Sequence, residues 1–280
     1  MQNKQTEILN ALSVDFEDWR YPELSIYESH TSKIKDSTIR ILELFKKYNV
    51  KGTFFSLGST AEKLPHLIKM IVAQGHEIAS HGYSHRSIYN LTPEEFKEDL
   101  KKSIDILEQM SGQKVLGYRA PYASITKKSL WALDILYETG IKYDCSIFPT
   151  KNFLYGIPDF PATICWQKNI AGKIVEFPFS VYKLFNKNIP IGGGLYLRLF
   201  PYAFTKHCIK KNNETGNPTM IYIHPRELDL DPPRYKVPLN WQLIFYYNLK
   251  STQEKLDNLL KDFNFAPAKD IVQGWVNKQK

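Results

Sequence analysis

The sequence contains few cysteines and no long apolar run, and each absence excludes a class of protein. Its three cysteines, Cys145, Cys165 and Cys208, are far apart and lack the close spacing of zinc ligands. We interpret them as buried free thiols of a reducing compartment. No run of about 18 apolar residues is present, and residues 1–7 lead only into a short apolar strand. We therefore expect no transmembrane segment, no secretory signal and a cytoplasmic location.

Basic residues outnumber acidic ones, 37 to 29, which gives a formal net charge of +8. The lysines are scattered in pairs, such as Lys46-Lys47 and Lys101-Lys102, and no single basic tract is present. This distribution is typical of solvated helix faces. Attraction to an anionic glycan, a lipid diphosphate carrier or the inner membrane face is the second interpretation. Nucleic acid is not an expected partner, because no helix-turn-helix, finger or stacking motif accompanies the charge.

Short apolar strands alternate with amphipathic helices over the first 149 residues. The patterns predict strands at 8–14, 51–57, 77–80, 115–118 and 141–144, and helices at 36–49, 61–74, 92–110 and 126–139. Such alternation is typical of parallel βαβ units and an α/β fold.

The pattern is weaker after Pro149, where prolines and the glycines 192–194 interrupt it. We interpret 192–194 as a tight turn that lets backbone approach the site, and predict a helix at 201–212, a strand at 219–223 and one long helix at 239–263. The polar C-terminal end is expected to fray. Because no linker-like stretch separates the halves, we expect one domain over 1–280, with an elaboration at about 150–280.

Polar side chains follow four of the predicted strands. Asp15-Phe16-Glu17-Asp18 ends the first strand, and these three carboxylates would repel each other unless a positive group joined them. His81 and His85 follow the third strand, and four-residue spacing would direct both imidazoles at one ion if 81–85 formed a helical turn. Arg119 and His224 follow two further strands. In a parallel α/β barrel such strand ends share one face, so we expect these side chains to converge.

Four ordered motifs resemble those of the polysaccharide deacetylases of the NodB-homology type, carbohydrate esterase family 4. They are residues 13–19, 80–85, 117–121 and 223–225. Residues 143–149, 190–194 and 224–229 are similar to the branch that carries a C-terminal domain of unknown function and occurs in exopolysaccharide loci. The resemblance covers about residues 8–236 and implies a distorted (β/α)7 barrel.

The resemblance implies a role for each strand-end residue in hydrolysing an acetamide. Such a reaction needs a polarised carbonyl, an activated water and a proton for the leaving nitrogen. By resemblance, His81, His85 and one carboxylate hold a divalent ion, with zinc expected. Asp15 is then the general base, Arg119 its orienting partner and His224 the general acid.

Other positions carry less definite expectations. By resemblance, the backbone N–H of Tyr122 binds the oxyanion. Trp19 is a candidate for stacking on a sugar ring, and Asp144 is a candidate partner for Arg119 or part of the barrel rim.

The first motif departs from the usual family pattern of two adjacent aspartates, because its spacing here is Asp15-x-Glu17-Asp18. Strand alternation would direct Asp15 and Glu17 to the same side and favours Glu17 as the carboxylate ligand. A chain turn after Asp15 would favour Asp18, and both remain open.

The expected function is a metal-dependent N-deacetylase that acts on an N-acetylated amino sugar in a polysaccharide or its lipid-linked precursor. One alternative is an allantoinase-like hydrolase of a small non-sugar amide. The other is a non-catalytic carbohydrate-binding barrel that has lost its chemistry through the altered first motif.

Overall fold

The predicted alternation of strands and helices is present in the first half of the chain. The computed structural model describes residues 8–19, 21–27, 30–152, 155–168 and 170–279. The elements of the first half are β1 (Asn10–Phe16), α1 (Thr31–Lys47), β2 (Thr53–Ser56), α2 (Gly58–Lys63), α3 (Pro65–Ala73), β3 (Glu77–Ser80), α4 (Pro93–Ser111), β4 (Gly117–Tyr118), α5 (Ala132–Glu138) and β5 (Tyr143–Asp144). All five strands are buried along their whole length, as expected of parallel strands covered on both faces.

Local sequence signals decide where the helices begin and end. At the start of α4, Thr92 and Glu95 each bind the other's backbone N–H, a capping box. Pro65 begins a new helix, because a first-turn proline lacks only an N–H that would have no intrahelical partner. The helix predicted at 61–74 is therefore two helices, α2 and α3. The helix predicted at 126–139 begins only at Ala132, after a turn in which Ser129 Oγ accepts the N–H of Thr126 at 2.9 Å.

The second half adds a hairpin and a helical cover. Its elements are β6 (Cys165–Lys168), β7 (Lys173–Glu176), β8 (Val181–Leu184), β9 (Lys187–Pro190), α6 (Gly194–Leu199), α7 (Tyr202–Glu214), β10 (Met220–Ile223), α8 (Leu239–Tyr246), α9 (Ser251–Asp262), β11 (Phe265–Ala266) and α10 (Ala268–Asn277). The long helix predicted at 239–263 is wrong, because the chain leaves the helical conformation at Tyr247 and turns at Asn248, whose φ is +47°. Helix α10, in which Ile271 and Val272 are buried, was not predicted, and fraying of the polar C-terminal end stays a prediction.

Seven parallel strands position the strand-end side chains. Their order is β10-β1-β2-β3-β4-β5-β7, and β6 pairs antiparallel with β7. β1 lies between β10 and β2, so that Val14 pairs with both Ile223 and Phe54. Across the described ranges no ladder joins β7 to β10. The sheet is therefore a curled, open form of the expected distorted (β/α)7 barrel, and its C-terminal strand ends share one edge.

A glycine segment lies beside β10 where the sheet is open. The N–H of Tyr222 donates to Gly192 O at 2.8 Å, and Gly193 forms a parallel bridge with Tyr222. A Cβ on Gly193 would lie 1.9 Å from Tyr222 O, and its φ is +154°, so only glycine permits this approach. The expected turn at 192–194 thus brings backbone against the strand that ends at His224.

The C-terminal helix covers the opposite end of the sheet. The N–H groups of Ala268 and Lys269 donate to Thr53 Oγ1 at 2.7 Å and to Glu77 Oε2 at 3.2 Å. Burial raises the pKa of Glu77. Strands from both halves of the sequence share this one sheet. That the chain forms a single domain stays a prediction. None of the helices in the described ranges is long and apolar enough to cross a membrane.

Candidate metal centre and active site

Side chains from four strand ends meet at the C-terminal edge of the sheet. Asp15 lies on β1 and Glu17 one residue beyond it. His81, Arg119 and His224 directly follow β3, β4 and β10. The first four are buried, and the His224 side chain is only 12% exposed. The structure therefore brings together the groups that the sequence predicted to converge.

Three potential ligand atoms converge between β1 and β3. Glu17 Oε2 lies 2.7 Å from His85 Nε2 and 3.4 Å from His81 Nε2. One ligand atom of each residue lies within 4.8 Å of the other two. Two imidazole nitrogens and one carboxylate oxygen form a donor set that catalytic Zn²⁺ sites use. The buried residues present here thus fit a single divalent ion.

The two histidines are not on a helical turn, so that part of the prediction is wrong. The chain turns at Gly82, whose φ is +76°, and His85 has a φ of +59°. The carboxylate of Asp99 holds this turn by accepting the N–H groups of Tyr83 at 2.7 Å and Ser84 at 3.0 Å. Asp99 lies on α4, and no local motif of the sequence connects it to the turn.

We call Glu17, His81 and His85 the trio. Contacts with residues outside the trio fix which of its atoms face its centre. His81 Nδ1 lies 2.7 Å from the backbone oxygen of Arg119, so Nε2 is directed at Glu17. Glu17 Oε1 accepts hydrogen bonds from Tyr21 Oη at 2.8 Å and from Arg226 Nη1, which leaves Oε2 for the histidines. Burial alone would raise the pKa of Glu17, but the adjacent His85 and Arg226 lower it well below its usual range.

Arg226 and Tyr21 are the principal site residues that sequence reasoning missed. Arg226 is buried and forms an ion pair with Glu17, from which it is separated by 209 residues. Arg226 belongs to the segment 224–229, which resembles a family motif. The distance along the sequence between Arg226 and Glu17 gives no sign that the two are partners. Tyr21 lies only four residues after Glu17, and this short spacing was the signal that could have identified it as a partner of Glu17.

Asp18 lies apart from the trio. Its Oδ1 accepts the N–H groups of Trp19 at 2.7 Å and His30 at 3.1 Å, so the carboxylate holds the loop after β1. Asp15 and Glu17 instead share one side of the chain, as strand alternation predicted. The structure thus brings Glu17, and not Asp18, to the two histidines.

Asp15 and Arg119 form a buried ion pair beside the trio. Arg119 Nη1 lies 2.5 Å from Asp15 Oδ1 and 3.0 Å from Ser13 Oγ. The guanidinium carbon lies 4.0 Å from the ring centre of Phe55, which completes its apolar surroundings. Asp15 Oδ2 lies 3.7 Å from His224 Nε2. Arg119 therefore fixes one oxygen of Asp15 and leaves the other directed toward His224.

His224 lies between two carboxylates. Its Nδ1 lies 3.5 Å from Glu227 Oε1, on the side opposite Asp15. Burial alone would raise the pKa of Glu227, but the ion pair with Arg198 at 3.3 Å and the His224 imidazole lower it to about 2. Glu227 is thus a buried anion that can orient the imidazole.

Asp144, the partner considered for Arg119, is engaged elsewhere. It accepts the hydroxyl of Ser146 at 2.5 Å and pairs with Glu176 across β5 and β7. Burial raises the pKa of both carboxyls, and the neighbouring Asp144 adds to the increase for Glu176. Sharing one proton would keep this buried pair from carrying two charges.

The two aromatic candidates lie in different environments. Tyr122 has a left-handed φ of +57°, and its ring centre lies 4.6 Å from that of His85 at the cavity wall. Trp19 is fully buried against Phe245 and Tyr246, so the expectation that it stacks on a sugar is wrong. Trp241, which was not predicted, lines the cavity and crosses Tyr122 edge to face at 6.0 Å.

The site opens into a cavity of about 280 Å³. Its floor holds Asp15, His224 and the trio, and most of its walls are apolar. Most wall residues come from the second half of the chain, including Tyr155, Leu195, Tyr196, Trp241, Leu243 and Ile244, whereas Tyr122 and Phe148 come from the first. The first half therefore supplies Asp15 and the three potential metal ligands, and the second half supplies His224 and Arg226 and shapes most of the space above them.

Comparison with known proteins divides the chain into two matched stretches. Residues 25–143 match the family described as polysaccharide deacetylase, and residues 145–273 match a domain of unknown function, DUF3473. A peptidoglycan deacetylase of Helicobacter pylori is 37% identical over 111 residues, which cover 39% of this chain and 36% of that protein. A peptidoglycan-N-acetylglucosamine deacetylase of Bacillus cereus is 31% identical over 147 residues, covering 48% and 52%. The chain spans only 36% and 52% of the length of these two relatives.

Solved structures share the fold over nearly the whole chain. A protein from Mycobacterium smegmatis assigned to the polysaccharide deacetylases has a TM-score of 0.61 at 18% identity, covering 96% of this chain and 92% of its own. An allantoinase has a TM-score of 0.58 at 18% identity, covering 95% and 89%. A carbohydrate esterase family 4 pseudoenzyme from Bacillus anthracis has a TM-score of 0.53 at 14% identity, covering 95% and 65%. The fold alone is therefore compatible with different activities. The sequence matches therefore show a polysaccharide deacetylase region over residues 25–143, followed by a DUF3473 region over residues 145–273, and the solved structures show the fold alone.

Proposed function

We propose that this protein is a metal-dependent hydrolase that removes acetyl groups from an N-acetylated amino sugar. The observation that carries the proposal is the placement of the trio Glu17, His81 and His85 beside Asp15 and His224 in one cavity. A carbonyl-polarising ion, a base and an acid are the three groups that acetamide hydrolysis requires.

The ion we propose is zinc, held by Nε2 of His81, Nε2 of His85 and Oε2 of Glu17. When bound, a divalent ion supplies Lewis acidity to the acetyl carbonyl and lowers the pKa of a coordinated water. The protein's contribution is the direction of the ligands. Tyr21 and Arg226 engage Glu17 Oε1, so we propose that Glu17 binds through a single oxygen.

We propose Asp15 as the general base. Its ion pair with Arg119 fixes Oδ1. Oδ2 can then accept a proton from the water that attacks the acetyl carbon. Burial of the pair beneath the cavity limits competition from solvent for that oxygen.

We propose His224 as the general acid and Glu227 as its positioning residue. His224 donates its proton to the amide nitrogen as the C–N bond breaks, so the products are the free amine of the sugar and acetate. Glu227 orients the imidazole from the Nδ1 side, and the neighbouring Arg198 keeps Glu227 ionised. The backbone N–H of Tyr122 is the proposed donor to the oxyanion.

The substrate we propose is an N-acetylated sugar of an exopolysaccharide or of its lipid-linked precursor. Tyr155, Tyr196 and Trp241 give the cavity flat aromatic surfaces that suit the apolar faces of sugar rings. Action in the cytoplasm, at the inner membrane face, remains a prediction.

The test measures bound metal and acetate release on the same protein sample. Purified protein is analysed for metal and incubated with oligomers of N-acetylglucosamine, with and without a chelator. His81→Ala should lose both metal and acetate release, whereas His207→Ala, on the exposed side of α7, should retain both. Full metal content and activity in His81→Ala would show the proposal to be wrong.

A small non-sugar amide is the second candidate substrate. The allantoinase shares the fold, and a cavity of about 280 Å³ is small for a polymer segment. Turnover of small amides without acetate formation would favour this activity. Glycan binding that is unchanged by a chelator and yields no product would instead identify a non-catalytic binding protein.

A further inference from the structure

Helix α8 is apolar on two sides, although one of them faces solvent. Trp241 and Phe245 point into the protein and are buried. Leu239 and Leu243, spaced four residues apart, are 79% and 48% exposed. A helix at an ordinary protein surface carries polar residues on its outer face. The outer face of α8 is therefore suited to contact with something other than water.

Helix α6 extends this apolar surface. Arg198 near its end donates to the backbone oxygens of Ile244 at 2.6 Å and Tyr247 at 2.5 Å, which joins the ends of α6 and α8. The adjacent Leu199 is 46% exposed, and Tyr247 is also exposed. We call Leu199, Leu239, Leu243 and Tyr247 the apolar rim. Leu243 also lines the cavity, so the rim borders its mouth.

The segment that carries Leu239, Leu243 and Tyr247 is basic, and the nearest acids along the chain, Asp231 and Glu254, lie just outside it. Residues 232–253, which include all of α8, contain Arg234, Lys236 and Lys250 but no aspartate or glutamate. All three basic residues are exposed. Basic side chains beside exposed apolar ones are complementary to a surface that is anionic outside and apolar beneath.

We propose that the apolar rim docks on a lipid bilayer that contains anionic headgroups. The leucines would enter the interfacial region while Arg234, Lys236 and Lys250 contact the headgroups, which turns the cavity mouth toward the bilayer. The inference goes beyond the proposed function. Its test measures vesicle binding, so it can fail while the hydrolase proposal holds, and the reverse is equally possible.

The experiment is sedimentation of the full chain with vesicles of phosphatidylcholine, alone or mixed with phosphatidylglycerol. We expect binding to the mixed vesicles that weakens as salt rises. The double substitution Leu199→Asn and Leu239→Asn should weaken it about tenfold or more. Lys236→Gln with Lys250→Gln should weaken it about tenfold on mixed vesicles only. All four positions are exposed, and thermal unfolding of each variant checks that the fold is retained.

Phe185→Asn is the matched control. Phe185 is 90% exposed between Lys183 and Lys187 at the turn from β8 to β9, so it offers the same chemistry away from the rim. We expect this variant to bind vesicles as the wild type does. The proposal is overturned if the wild type does not bind mixed vesicles, or if Phe185→Asn loses binding while the leucine variant keeps it. It is also overturned if light scattering shows a dimer that the leucine substitutions dissociate without affecting vesicle binding.

Discussion

Replacing Tyr21 by phenylalanine would remove one hydroxyl from the support of the proposed metal ligand. That hydroxyl donates to Glu17 Oε1 at 2.8 Å, while the ring packs against Phe245 and His85 and should keep its place. Glu17 Oε1 would then retain the hydrogen bond from Arg226. A hydrogen bond to a charged group contributes about 1.5–3 kcal/mol, and loss of such a supporting contact typically lowers metal affinity about 10–100-fold.

The measurement is a titration of metal-free protein with Zn²⁺ in competition with a chromophoric chelator. A 10–100-fold weaker affinity corresponds to about 1.4–2.7 kcal/mol. Tyr118→Phe is the matched control, because Tyr118 is equally buried and its hydroxyl has no hydrogen-bond partner in the described part of the chain. Unchanged affinity in Tyr21→Phe, or an equal loss in Tyr118→Phe, would refute the idea that the Tyr21 hydroxyl orients Glu17.

Three further substitutions test other parts of the site. Asp15→Asn should retain its metal and lose at least about a hundredfold of the acetate release; loss of the metal would contradict its assignment as the base. Glu227→Gln should lower the free energy of unfolding by about 3–5 kcal/mol near neutral pH, because Arg198 would stay buried without a counter-charge. Since the pKa of Glu227 is about 2 when folded, against an ordinary 4.5, its stabilisation is present above pH 4.5 and lost as the pH falls toward 2. Urea unfolding of the wild type and this variant should therefore converge in acid, and a constant difference would contradict the pKa. Glu176→Gln should become more stable relative to the wild type as the pH rises above 4.5, because burial raises the pKa of Glu176 and the wild type must take up a proton on folding that glutamine does not need; a loss as large as that of Glu227→Gln would be contrary evidence.

Local patterns were sufficient for the order of the elements in the first half of the chain, but they missed several element ends and most elements of the second half. The alternation of buried strands with helices predicted parallel units, and the seven parallel strands confirm it. Pro65 and the turn at Asn248 divide helices whose apolar spacing continues across the break. Apolar periodicity reports which side of a helix is buried, whereas backbone geometry decides where the helix stops.

The sequence by itself predicted that the strand-end side chains converge, and it left the choice between Glu17 and Asp18 open. Parallel strands place their C-terminal ends on one edge, and alternation along β1 directs Asp15 and Glu17 to one side, so the positions of His81, Arg119 and His224 after their strands were sufficient. The tertiary structure decided which atoms of those side chains face each other, because the contacts that orient them come from distant segments. Arg226 reaches Glu17 across 209 residues, and Trp19 is buried by α8 rather than open to a sugar. Spacing along the chain determines the direction in which a side chain leaves its own strand. It does not determine which side chains from distant segments will contact it.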